Sequence, residues 1–210
     1  MSRCRFDAEE LKLLRSLHTP TNVQDFLDTM PMNFEEEGDT LMSPHRVLRE
    51  KKAHCMEGAL LAAAAFWVQG RVPLLLDLRS TPEDDDHVVA LFRERERWGA
   101  VSKTNHAVLR WREPIFKDIH SLAASYFHEY FLDSGKKTLI SFSEPFDIIK
   151  RFGVDWFESR EEMDHIATAL DKSKHFRFYP KNSKKFIKNA TKLEIKASQQ
   201  TQWQPKKTKG

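Results

Sequence analysis

Between positions 55 and 69 the chain reads CMEGALLAAAAFWVQ, a run of strong helix formers that Gly70 can close. Apolar residues cover every face of such a helix, so a fold in water has to surround it with other elements. That requirement makes it the expected centre of the structure. Of the 210 residues, 40% are hydrophobic and 11% aromatic, enough for one core of this kind with some peripheral structure. The longest apolar stretch, residues 59–68, falls well short of the roughly 20 residues that cross a bilayer. The N-terminal sequence MSRCRFDAEELKLL mixes both charge signs and has no apolar centre of a secretory signal. The expectation is a cytoplasmic protein with no membrane contact.

The flanking sequence supplies the cover. Phe6, Leu11, Leu14 and Leu17 share one face at helical spacing and predict an amphipathic helix over 6–17. Thr19, Pro20 and Thr21 interrupt it, and Thr21 is expected to cap a second helix reaching Met30, with Val23, Phe26 and Leu27 on one face. Residues 33–44 show no period and read as a loop, and 45–52 as a short charged helical turn. After Gly70, residues 74–78 suit a buried strand. The turn TPEDDD then leads to strands at 87–92 and 98–103, which form a hairpin, so the three strands make an antiparallel meander. Pro114 is expected in the first turn of a long helix to Leu132, its face traced by Ile115, Ile119, Leu122, Ala123, Tyr126, Phe127 and Tyr130. Further on, the sequence predicts a strand at 138–142, a Phe-rich segment around 146–157 and a helix near 160–171. The fold class is α+β, with the central apolar helix packed on an antiparallel sheet and residues 1–180 forming a single domain. Residues 181–210 hold nine Lys and one Glu, a net of +8 against +3 for the whole chain. The preceding 180 residues therefore carry −5. With few core-forming residues, this basic tail is expected to be disordered.

Two cysteines, Cys4 and Cys55, allow at most one bridge, and Cys4 falls in a terminus expected to fray. Cys55 opens the apolar helix, where unsatisfied backbone N–H groups and the positive end of the helix dipole favour thiolate. A small apolar filler is the plainer reading of the same residue. His87 follows three aspartates at the start of a strand alternating through VVALF, and its ring can reach the helix start. A Cys55–His87 pair would then be available for nucleophilic thiol catalysis; otherwise His87 is a strand-edge residue beside a solvated acidic turn. Hairpin counting sets residues near Ser102 and Lys103 opposite His87, where no carboxylate lies. Ser102 or Asn105 is left to orient the imidazole.

The succession AHCMEGALLAAAAFW, PLLLDL, DDDHVVALF and RWGAVSKTN resembles the cysteine-protease-like core of the transglutaminase-like superfamily, over residues 19–105. Its cysteine opens the central helix, a histidine starts a following strand and an acidic residue on the neighbouring strand completes the set. Cys55 and His87 match by position; the acidic residue has no counterpart. The chain is also similar to a group of mostly bacterial proteins of about this length whose WGA–SK–N segment runs into an arginine- and proline-containing stretch, here residues 109–114. The resemblance implies amide hydrolysis or amide exchange through a thioester on Cys55, acting on a peptide, protein or small amide, with no cofactor. Asn33, in the loop before the helix, and the backbone N–H of Cys55 are candidate oxyanion donors.

Three other readings compete. The same core could serve as a catalytically inactive binding module. Asp84, Asp85, Asp86 and His87, with His45, His54 and His106, could approach a metal ion, although consecutive strand residues face opposite ways; no metal is assigned. The lysine-rich tail, with Phe186 and Trp203, could contact a polyanion or nucleic acid.

Overall fold

The computed structural model describes residues 6–36 and 38–205; Cys4 lies outside them. Eight α-helices and seven strands follow in the order α1 (Ala8–Ser16), α2 (Pro20–Thr29), α3 (Pro44–Glu50), α4 (Cys55–Val68), β1 (Leu74–Arg79), β2 (His87–Glu94), β3 (Arg97–Val101), β4 (Arg112–Phe116), α5 (Ile119–Ala124), β5 (Ser141–Ser143), β6 (Phe146–Asp147), α6 (Ile148–Phe152), α7 (Asp164–Asp171), β7 (His175–Arg177) and α8 (Lys192–Ser198). The protein is thus mixed α+β.

The apolar helix is where its sequence requires it to be. Every residue of α4 from Met56 to Phe66 is buried. One side of it meets Leu14 of α1, Val23 and Leu27 of α2 and Val47 of α3. The other meets Leu75, Val88, Ala90, Phe92 and Val101 from β1, β2 and β3. Strand alternation sends the intervening residues Leu76, Leu78, Val89 and Leu91 to the opposite face of the sheet, against Leu122, Ala123 and Tyr126. The result is three layers, with helices on both faces of the sheet.

All pairings in the sheet are antiparallel. Its order is β4-β3-β2-β1-β5-β7, with β6 also pairing β1. The expected meander is therefore its centre, extended on one side by β4 and on the other by β5 and β7.

Three sequence expectations need correction. Thr19 rather than Thr21 caps α2, its hydroxyl accepting from the Asn22 N–H at 3.1 Å, while Pro20 takes the first helical position. The long helix from Pro114 does not form. Residues 112–116 are instead the edge strand β4, where a missing N–H costs no ladder bond. Ile115 faces outward at 68% exposure, and Asp118 starts the shorter α5 by accepting from the Ser121 N–H at 2.7 Å. Last, the described part of the basic tail is ordered. A 3₁₀ segment spans Lys181–Phe186, α8 follows, and Thr201 bridges His106. Backbone pairing to the body supplies what the apolar content of the tail does not.

Gly58 shows how tightly the helix is enclosed. A Cβ there would sit 2.4 Å from the Lys103 Cβ, and neighbouring α2 contributes Leu27 to the same contact. Gly58→Ala should therefore destabilise the protein by about 1–3 kcal/mol through overpacking, despite the gain of about 1 kcal/mol in helix propensity. Chemical denaturation checks this; an unchanged or raised midpoint would show that Lys103 can move aside.

Candidate functional site

Cys55 is the first residue of α4, half-buried and with a free thiol. Together with His87 it lines a pocket of about 420 Å³ that also includes Asp84, Asp85, Asp86, Lys103, Asn105, His106, Glu129 and Tyr130. The thiol lies within interaction range of two imidazoles, His54 and His87. Burial alone would push it up, but these two rings hold it down to about 5.

His87 is buried at the start of β2, and its Nε2 lies 2.8 Å from the Ser102 hydroxyl. Ladder pairing ends at Ala90↔Val101. Continuing that register would set Thr104 opposite His87 and Ser102 two residues back on the same face, a diagonal neighbour. The Ser102 hydroxyl has one proton, which it donates to the Leu109 carbonyl at 2.5 Å. The contact with His87 must then be a donation from Nε2–H, which leaves Nδ1 bare in the neutral ring and able to accept a proton from the thiol.

Ser102 is itself fixed. Gln24 accepts from the Ser102 N–H at 2.9 Å and donates to its carbonyl at 2.9 Å, while also donating to Asp28. The Leu109 N–H donates to Glu129 at 2.7 Å, and Glu129 pairs with Arg112 at 2.7 Å. Charge thus reaches His87 only through a serine and a backbone carbonyl.

His54, which the sequence singles out only as a distant metal candidate, is the N-cap of α4. Its Nε2 bonds the Thr40 carbonyl at 2.9 Å, and its Nδ1 takes a long 3.3 Å contact from the Met56 N–H. Burial opposes its protonation, but Cys55 and Glu57 raise it to about 9. The Met56 contact wants Nδ1 bare and the ion pair wants it protonated; the length of that contact makes it the weaker of the two. The sequence signal of His54 is its position, immediately before a helix-opening cysteine.

No family model matches the chain, and no curated protein matches it.

The remaining expected residues lie elsewhere in function. Asn105 does not reach His87; its amide donates to the Trp203 carbonyl at 3.1 Å and accepts from the Trp203 N–H at 2.8 Å. Asn33 is buried, with its amide N donating to Thr40 at 2.7 Å and to Glu57 at 3.1 Å, so it holds Glu57 and is not aimed at the thiol as an oxyanion donor. Lys103, fully buried, donates to the Met30 and Leu27 carbonyls and caps the end of α2; burial lowers it to about 8.

The metal candidates do not converge. His45 pairs with Glu10, His106 bonds the Ser198 carbonyl, Asp84 accepts from Thr138, and Asp86 accepts from Ser80. A different trio, Asp77, Asp86 and Asp171, brings oxygens within 4.8 Å of one another, but the Arg79 guanidinium lies against it, 2.5 Å from Asp171. In the tail Phe186 is 79% exposed, whereas Trp203 is bound through its backbone to Asn105 with its indole N–H buried. Trp203 as a whole is half-buried. No helix among the described residues is long and apolar enough to cross a membrane.

Proposed function

We propose that the protein is a thiol-dependent acyl-transfer enzyme, cleaving or exchanging an amide or ester through a thioester on Cys55. The observation that carries this reading is the ordered relay at the helix start: the thiol of the half-buried Cys55 beside His87, whose Nε2 is held by Ser102. Supporting it is the resemblance to the transglutaminase-like core, which agrees with a cysteine-first buried helix packed on an antiparallel sheet.

The Cys55 thiolate attacks the acyl carbon, a C–S bond forms, and the bond to the leaving group breaks. His87 holds at Nδ1 the proton the thiol has already given up and passes it to the leaving group, while Nε2–H stays on Ser102 and fixes the ring plane. A water or amine, deprotonated by His87, then attacks the thioester and releases Cys55. The Cys55 N–H, at the first position of a helix, is available to the developing oxyanion. His54 keeps positive charge beside the thiolate in the resting state. Ser102 stabilises imidazolium less than a carboxylate would, which favours slow turnover and gives the binding-module reading its one specific support.

With p-nitrophenyl acetate, the protein should acquire one acetyl group on Cys55 and release p-nitrophenol repeatedly. Cys55→Ala should abolish both. His87→Ala should cut turnover by about 10²–10⁴-fold, the usual worth of a general base. Acetylation elsewhere, or turnover indifferent to His87, would remove the enzyme reading in favour of the binding module.

A further inference from the structure

Residues 199–204 follow α8 along the lip of the Cys55 pocket, held by main-chain and side-chain bonds together. The Ala107 N–H donates to the Gln200 carbonyl at 3.0 Å and the Gln202 N–H to the Asn105 carbonyl at 2.9 Å, around an antiparallel bridge between Thr201 and His106. The Asn105 amide closes a further pair of bonds on the Trp203 backbone at 2.8 and 3.1 Å. This is an isolated bridge outside the sheet, made with the same main-chain pairing by which extended peptides are commonly held.

The edge sits beside the candidate chemistry. Asn105 and His106 line the same pocket as Cys55 and His87, and so do Ser198 and Gln199. Trp203 and Gln204 line a second cavity of about 500 Å³, and Met32 belongs to both. The segment therefore crosses from one cavity to the other over the ground a bound peptide would occupy.

Its side chains add bonds at exposed positions: the Gln199 amide donates to Asp133 at 2.9 Å, the Gln202 amide donates to the Asp28 carbonyl at 2.9 Å, and Gln202 accepts from Arg110 at 3.3 Å. Gln199, Gln200, Gln202 and Gln204 are exposed, and the buried Trp203 indole N–H has no hydrogen-bond partner among the described residues. A buried donor left unpaired works against the bound state. Main-chain bonds of this kind are available to any extended peptide, so the edge does not require this sequence.

We propose that the 105–107 edge is the peptide-binding edge of the Cys55 site, and that residues 199–204 are a resident strap which an extended peptide substrate displaces. The word substrate rests on the acyl-transfer reading; peptide exchange at the edge does not.

The test uses the full chain with Cys4→Ser, and the same chain with Gln202→Pro and Trp203→Ala, which removes the N–H bonded to Asn105. The probe is a fluorescent peptide, ASQQTQWQP, matching residues 197–205. It should bind the altered chain at least tenfold more tightly than the parent and, at saturation, slow the reaction of Cys55 with a bulky maleimide at least tenfold. A peptide with proline at the position of Gln202 should do neither. Equal binding to both chains, equal binding of the proline peptide, or no protection of Cys55 would overturn the proposal. Should the altered chain not fold, hydrogen exchange on the parent decides: at saturating peptide the Gln202 amide should lose protection while the Ala107 amide keeps it. A Gln202 amide that stays protected refutes the strap. An ordinary thiol with normal peptide exchange would sink the acyl-transfer reading alone.

Discussion

At pH 6 Cys55 should exchange with an aromatic disulfide about fifteen times faster than an unperturbed cysteine. A thiol held at about 5 instead of 9.0 presents about 900-fold more thiolate at that pH, and its lower basicity reduces the reactivity of each thiolate by about 60-fold. The direction with pH separates the cases more sharply than the rate. An ordinary thiol gains about tenfold per unit up to its own pKa, whereas Cys55 should be nearly flat from pH 6 to 8. Its folded value lies below the unfolded one, so the stabilisation from the charged form is present at high pH and lost as pH falls through about 5. His54 has the opposite sign. Its value is raised to about 9, so its stabilisation is present at low pH and lost as pH rises through about 9. Both partners are charged between those limits, and the two shifts describe one shared interaction, not two additive ones.

The two histidines should then separate by assay. Both rings lower the thiol, each by a hydrogen bond and by its charge, so His54→Asn and His87→Ala should each move the inflection of the pH profile upward. Turnover of an ester should separate them and fall further in His87→Ala, because His87 carries the leaving-group proton at Nδ1 and the fixed Nε2–H. An inflection near 9 in the unaltered protein would mean that neither ring activates Cys55.

Where local pattern and burial agree, the sequence is a good guide to this fold. The apolar run at 55–69 announces a surrounded helix, and VVALF after the acidic turn announces a strand, because those patterns admit few packings. Pro114 misleads because proline suits both a first helical turn and an edge strand. The apolar face drawn from Ile115 to Tyr130 cannot reveal that the chain turns at Asp118. The tail misleads for a different reason. Residues 199–204 are held by main-chain pairing with Asn105 and Ala107, and backbone partners leave no mark on composition. The site shows the same division. Cys55 and His87 are legible because residue type and element position coincide. The relay through Ser102 to the Leu109 carbonyl and the clamp by Gln24, 78 positions away in sequence, depend on register and side-chain reach.

Glu57→Ala should cost about 3–5 kcal/mol, the largest loss expected for a single substitution near the site. Glu57 is fully buried within the first turn of α4, and every hydrogen bond it makes is a donation to its carboxylate. The Met42 N–H reaches it at 3.0 Å, the His54 N–H at 2.9 Å, the Thr40 hydroxyl at 3.1 Å and the Asn33 amide at 3.1 Å. Alanine takes the acceptor from the Met42 N–H, the His54 N–H and the Thr40 hydroxyl, while Asn33 keeps its bond to Thr40. Each unpaired group costs about 1–3 kcal/mol, with partial relief if the surroundings collapse or water enters. Glu57→Gln tests charge against shape: its amide nitrogen can accept from none of these donors, so it should recover only part of the loss. Denaturant midpoints read both changes. The same carboxylate anchors the loop from Asn33 to Met42 and completes the cap at His54, so Glu57→Ala should also lower Cys55 reactivity at pH 6 in protein that is still folded. A loss of stability with reactivity unchanged would show that His54 keeps its place without the cap, and that the helix start is set by Thr40 alone.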